Sequence, residues 1–422
     1  MSTDTASPGL VRHIGLGQGT ALYVSAILGA GVLVLPGQVA TLAGPASLVS
    51  WAFACAMGVP LAVMFAALAR RYPDAGGVAS YVRHAFGPTL GGLTGWLYFV
   101  AGSVGQTIVP LTGGYYVAEA LHLDRAWAFV VAAVILALAV AANLVGLKVG
   151  SRAQLVLAAG VATALVVTIA VSVPRMAVSR LTPFAPHGVA AVGAGVIVLF
   201  FAFAGWEAVA HLSGEFTDPD RDLPRAVAAT IAVVTALYVG IAAAVVLTGT
   251  YGSSHIDHVA VEVLLQGAFG RAAAVVAATV AVVISLGTTN AFIAGVSRLG
   301  YSLARTGWLP PAVGRVDARS IPATAVLCVA AIAYGGLGLG AVLGWGTETL
   351  VVTPSTLVVA VYLLAAAAGV RLLAGAPRLC AVLTIALTLV VAPAAARHVV
   401  IPLAVAALAL AVRGLLARRR PG

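Results

Sequence analysis

Two short stretches of this sequence combine residues in a way that frees main-chain polar groups. The first, Ser25-Ala26-Ile27-Leu28-Gly29-Ala30-Gly31 running on to Pro36, sets two glycines and a proline inside an apolar run. The second, Phe201-Ala202-Phe203-Ala204-Gly205-Trp206-Glu207, sets a glycine beside a glutamate in a run otherwise free of charge. Glycine weakens a helix by its conformational entropy, and proline deletes one of its hydrogen bonds. A helix interrupted at such a point offers bare N–H groups at the start of one half and bare carbonyls at the end of the other. Carboxylates favour the former and ammonium groups the latter, so the pair suits a small zwitterion. Glu207 adds a group whose chemistry is the binding and release of a proton.

The elements that position these stretches follow from composition. Of 422 residues, 61% are hydrophobic and 9% charged, whereas a soluble chain carries about a quarter of its residues charged. The chain is therefore an all-α integral membrane protein, and disordered, collagen-like and disulfide-stapled classes are excluded. Cys55, Cys328 and Cys380 each lie in an apolar stretch and read as small buried hydrophobes. The net charge of +10 resembles a nucleic-acid signature, but the charges fall between the apolar runs. Basic residues flanking membrane spans orient the chain, and no nucleic-acid partner is expected.

A helix needs about 20 apolar residues to cross a hydrocarbon core of about 30 Å. The first window without Asp, Glu, Lys or Arg, residues 13–69, holds two spans divided near Gly44-Pro45. The others are 84–118, 126–147, 153–174, 181–206, 226–256, 272–297, 320–347, 349–370, 379–396 and 398–412, which predicts twelve crossings with both termini on one side. Arg12, Arg70, Arg71, Arg83, Lys148, Arg152, Arg221, Arg225 and the basic residues near 298–319, 371–378 and 413–420 then share a face, leaving Arg125, Arg175, Arg180, Arg271 and Arg397 opposite. That asymmetry makes the termini cytoplasmic in an inner or plasma membrane.

The interruptions fall in spans one and six, the spacing of a five-plus-five inverted repeat whose broken first members meet near the bilayer midplane. The chain reads as a single transmembrane domain over residues 1–422, with repeats at about 13–174 and 188–373 and two peripheral helices at about 379–416.

At this point the motifs resemble those of the amino acid–polyamine–organocation superfamily of transporters over nearly the whole chain. The most specific run from Phe203-Ala204-Gly205-Trp206-Glu207 to Glu215-Phe216-Thr217-Asp218-Pro219 and Arg221 to Pro224-Arg225-Ala226. Gly29-Ala30-Gly31 with Pro36, Tyr72-Pro73-Asp74-Ala75-Gly76-Gly77, and Ser297-Arg298 through Gly307-Trp308-Leu309-Pro310 follow in the family's order. Within it, the chain looks most like bacterial methionine and branched-chain amino-acid exporters. The resemblance implies that Gly29, Ala30 and Gly31 receive a substrate carboxylate and that the carbonyls of Phe201, Ala202 and Ala204 receive its ammonium. It also implies that the ring of Phe201 is a gate over the ligand. Some relatives carry protons on a span-five lysine; here that region reads Leu157-Ala158-Ala159-Gly160-Val161.

The expected substrate-binding set is Ile27, Gly29, Ala30, Gly31, Phe201, Ala202, Phe203, Ala204, Gly205 and Asn290. Its apolar surroundings favour methionine, leucine, isoleucine or valine over a cationic substrate. Asn290, Thr288, Thr289, Ser103, Gln106 and Thr107 are polar residues that either face the cavity or bond between helices. Glu207 either carries the coupling proton or satisfies N–H groups freed by a break. A sodium site from Ser285, Thr288 and Thr289 is the alternative for coupling. Glu215, Arg221 and Arg225 form either a cytoplasmic salt-bridged latch or a solvated loop. His255 and His258 read as a solvated exterior pair. No enzyme, cofactor or resident metal is implied, and no nucleotide-binding loop is present. The function expected is secondary active transport of neutral amino acids, as efflux by proton antiport, with uptake, exchange and a transporter-like sensor as alternatives.

Overall fold

The computed structural model describes residues 15–72, 77–146, 151–206, 216–318 and 320–418. Among them the chain is helical, with no β-strand element, and nine stretches are long and apolar enough to cross a membrane. The first segment is split. Helix α1 (Leu16–Ile27) ends at Leu28, and α2 (Gly31–Ala43) restarts at Gly31. Residues Leu28, Gly29 and Ala30 between them are not helical. Gly44, at φ +63°, and Pro45 then turn the chain into α3 (Ser47–Arg71), which closes on Arg70 and Arg71 as the helix dipole favours.

A short helix, α4 (Gly77–Phe86), precedes α5 (Pro88–Ala120). The latter is not among the nine apolar stretches despite its length. Its glycines, serines, threonines and Gln106 lower its hydropathy because it is almost wholly buried inside the bundle, where small residues allow backbones to approach. Helices α6 (Arg125–Leu144) and α7 (Ser151–Ser172) complete the first half.

The second split is at α8 (Gly188–Leu199), which gives way to successive turns over residues 200–206. Helix α9 (Pro219–Thr248) opens with the Asp218 side chain accepting from the Arg221 N–H, and the left-handed Gly249 ends it. This stop shortens the apolar window 226–256. Its tail instead enters a pair of short helices, α10 (Ser254–His258) and α11 (Ala260–Phe269), before α12 (Arg271–Arg305). Helices α13 (Ala323–Leu343), α14 (Thr347–Leu350), α15 (Val352–Leu372), α16 (Gly375–Ala395) and α17 (Val400–Arg418) follow.

Helices α5 and α12 form the central pair. A methyl group added at Gly102 would come within 2.5 Å of Val296, and one at Gly300 within 2.7 Å of Phe99. The two helices therefore interlock through small residues matched to large ones. The apolar core runs continuously through both halves, from Tyr23 and Trp51 to Tyr238 and Tyr362.

Candidate functional site

Both interruptions border one cavity. Ile27, Gly29, Ala30 and Gly31 form one wall, and Phe201, Ala202 and Ala204 another. Helix α5 supplies Tyr98, Ala101, Gly102, Gly105, Gln106 and Val109; α12 supplies Thr288 and Phe292; α15 supplies Pro354 and Val358. Among the described residues, no charged side chain lines it.

On the first wall, α2 starts without a side-chain cap, while Val32 and Leu33 turn their N–H groups back to Gly29 and Ala30. Among the described residues the N–H groups of Ala30 and Gly31 have no main-chain partner and stand as the helix's leading donors, next to the cavity. On the second wall, the tight turns pair Ala202 N–H with Leu199 and Ala204 N–H with Phe200. Gly205 sits at φ +139°, a conformation that favours glycine.

Three tyrosines donate hydrogen bonds to main-chain carbonyls in or beside the interrupted segments. The Tyr238 hydroxyl on α9 lies 2.8 Å from the Ile27 carbonyl and 3.1 Å from that of Ala202, so a single donor is shared between the two walls. Tyr362 on α15 donates to Phe203 at 3.0 Å, and Tyr116 on α5 donates to Leu33 at 2.9 Å. Buried carbonyls without such donors would each cost about 1–3 kcal/mol. The sequence reading had no role for these tyrosines, because each lies far along the chain from the carbonyl it serves.

Seven of the ten residues expected around a substrate thus border one space: Ile27, Gly29, Ala30, Gly31, Phe201, Ala202 and Ala204. Three do not line it. Phe203 is buried against Gly58 and the Tyr238 ring, Gly205 is a turning point, and Asn290 faces Asn143 of α6, whose Nδ2 donates to the Asn290 side-chain oxygen at 2.8 Å. The Phe201 ring lies in the cavity wall between α2 and α5, 3.6 Å from a methyl placed at Gly31 and 3.3 Å from one at Gly105. Gln106 is buried, its amide donates to Gly102, and its Oε1 lacks a partner among the described residues.

The remaining polar candidates divide. Ser103 and Thr107 donate to main-chain carbonyls of Phe99 and Ala333, so they bond within or between helices. Thr288 reaches the cavity, whereas Ser285 and Thr289 are buried hydroxyls without a partner among the described residues. Glu207 and Glu215 lie outside the described residues. Arg221 and Arg225 are exposed, and among the described residues neither side chain makes an ion pair. His255 and His258 differ from the solvated pair expected. His258 is buried, its Nε2 is 2.7 Å from Glu348, and its ring stacks on Tyr115; His255, largely exposed, pairs with Glu119 at 2.6 Å. The carboxylate partners stand on other helices, so the local sequence gave no sign of them.

Comparison with known proteins fits this geometry. The sequence model for the amino acid permease family matches residues 14–412. An uncharacterized amino acid permease of Bacillus subtilis, YecA, is 32% identical over 87% of this chain and 86% of its own length. The L-methionine/branched-chain amino acid exporter YjeH of Escherichia coli is 30% identical over 89% of each. The branched-chain amino acid permease BcaP of Lactococcus lactis is 25% identical over 74% of this chain and 72% of its own length. These relatives are transporters, not enzymes. Because the matched span takes in every helix from α1 to α16 and both walls of the cavity, the chain belongs to the amino acid permease family, within the amino acid–polyamine–organocation superfamily.

Proposed function

We propose that this membrane transporter exports apolar amino acids, methionine, leucine, isoleucine and valine, in exchange for protons. One observation carries the substrate class: the cavity joins free N–H groups and main-chain carbonyls but, among the described residues, has no charged side chain in its lining. A buried charge without a partner is strongly unfavourable. The zwitterionic end of an amino acid is matched by the two interruptions, while a cationic side chain would meet Phe292, Val109 and Val358 unpaired. Gly29, Ala30 and Gly31 take the carboxylate. The carbonyls of Phe201 and Ala204 take the ammonium, with that of Ala202 shared with Tyr238.

Export is supported by the likeness to the methionine and branched-chain exporter, and uptake, the second reading, by the likeness to the branched-chain permease. In this proposal the bundle has twelve spans in a five-plus-five inverted repeat plus two peripheral helices, with cytoplasmic termini. Glu207 carries the coupling proton, and Glu215 with Arg221 and Arg225 closes the cytoplasmic side in one access state. Sodium as the coupling ion is a second reading, which the hydroxyls of Ser285 and Thr289, without a partner among the described residues, favour. Proteoliposomes with imposed proton and sodium gradients separate these readings. Labelled leucine and methionine should move against a proton gradient, and Glu207→Gln should abolish that dependence while ligand binding survives. Preferred movement of arginine would overturn the substrate class, and sodium dependence would replace the coupling ion.

A further inference from the structure

Helices α10 and α11 form a lid between α9 and α12, at the ends of α2 and α5 remote from Arg70 and Arg71. The lid sits on α2: Thr41 donates to Asp257 at 2.7 Å, and the Asp257 backbone lies against Gly37. The His255–Glu119 and His258–Glu348 pairs tie it to α5 and α14. Beneath it is a carboxyl group that the transport reading does not use. Glu262, in the first turn of α11, has no solvent exposure. Its Oε1 accepts from the Gln266 amide at 3.1 Å, and its Oε2 has no partner among the described residues.

The groups facing Glu262 do not neutralise it. From α5 come the carboxylate of Glu119, already paired with His255, and Tyr116, whose hydroxyl donates to Leu33. Arg175, after α7, gives its guanidinium to the Leu264 carbonyl and packs on Gly267. Within the lid, Asp257 bonds to Thr41 and Gly252, and His258 to Glu348. Helix α2 and the lid-facing half of α9 carry no acidic or basic residue, and on α12 the ionisable residue at that end is Arg271. An ionised Glu262 would be a buried negative charge beside a second one, an arrangement that burial and like charge both oppose.

We propose that Glu262 is a proton-binding site of the lid: the lid closes over the protonated carboxyl and lifts with the carboxylate, so that closure takes up one proton from the exterior. Burial, with Glu119 beside it, pushes the Glu262 carboxyl up to about 8 from its ordinary 4.5. A group whose value is raised in the closed state favours that state fully below 4.5 and ceases to do so as pH rises through about 8. Between these values each unit of exterior pH changes the ratio of closed to open lid about tenfold. The inference rests on the alternating-access reading and the orientation proposed above, but not on Glu207 or the direction of transport.

Infrared spectroscopy of the purified protein at roughly neutral pH reads the protonated carboxyl without any transport. A carboxylic-acid carbonyl band should be present, should vanish in Glu262→Gln, and should disappear from the wild type as pH passes about 8. In Glu119→Gln the band should be lost at lower alkalinity, since a negative neighbour has gone; this variant serves if Glu262→Gln fails to fold. In proteoliposomes exchanging leucine with leucine, the wild-type rate should depend on exterior pH across roughly 5 to 9 and the Glu262→Gln rate should be flat. A band unchanged in Glu262→Gln, or an unaltered pH dependence of exchange, overturns the proposal. Exchange without the band sinks the proton site alone, whereas the band without any movement of amino acids supports a buried proton and sinks the transport reading.

Discussion

One hydroxyl group, that of Tyr238, serves carbonyls from both interrupted segments, Ile27 at 2.8 Å and Ala202 at 3.1 Å. Tyr238→Phe removes the donor and leaves both buried acceptors short of one, at a cost of roughly 1–3 kcal/mol. The expected result is a lower unfolding temperature and weaker protection by methionine, read from thermal unfolding with and without ligand. Equal protection in both proteins would separate Tyr238 from the binding geometry. A second change tests the packing of Phe201 against α5. Gly105→Ala brings a methyl to 3.3 Å of the Phe201 ring, tighter than an ordinary contact, so the ring must shift. A KM for leucine raised several-fold with little change in stability is expected, measured by transport and by thermal unfolding. The face of α12 could have been read from the sequence alone. Thr288 and Phe292, four residues apart, share a face and reach the cavity, while Asn290 between them points elsewhere, to Asn143.

Among elements, the interlocked pair α5 and α12 has least freedom to accept larger side chains. Gly102→Leu would drive a side chain into Val296 and should destabilise the bundle by about 1–3 kcal/mol, as overpacking does. Gly92→Ala should act likewise against Trp308, which also accepts from Trp96 Nε1 at 2.9 Å and carries the Arg413 guanidinium of α17 over its ring. Yield of monodisperse protein in detergent and its melting temperature check both. The interruptions themselves were legible, because glycine and proline in an apolar run leave few places for a helix to continue. The lid was not. A five-residue and a ten-residue helix give no usable periodicity, and charges that read as solvated found partners on α5 and α14 only after the chain had folded. The count of spans blurs for a related reason: α5, the most enclosed of the long helices that border the cavity, is also poor in apolar residues.

For the molecule as a whole, the apolar lining of the cavity among the described residues is the feature on which the proposed selectivity rests. Val358→Asp introduces an anion where an apolar side chain is expected to rest, and it should shift preference from leucine toward arginine by about tenfold or more, since a paired charge replaces an unpaired one. Competition of labelled leucine transport by arginine measures it, and undiminished leucine preference would place the side-chain subsite elsewhere. The outermost helix, α17, is held at its end by Arg413, which also donates to Thr89. Its flank is almost bare of protein, as a surface turned to lipid requires.

Position 37 has an outcome of its own. A methyl group there would stand 2.6 Å from the Asp257 carbonyl oxygen and 2.8 Å from its Cα, main-chain atoms with little room to retreat. The contact between α2 and α10 is thus as close as glycine's hydrogen atom allows. Wedged apart by one carbon, the two surfaces would no longer meet, and under the proposed lid closure solute would run downhill past a door that cannot shut.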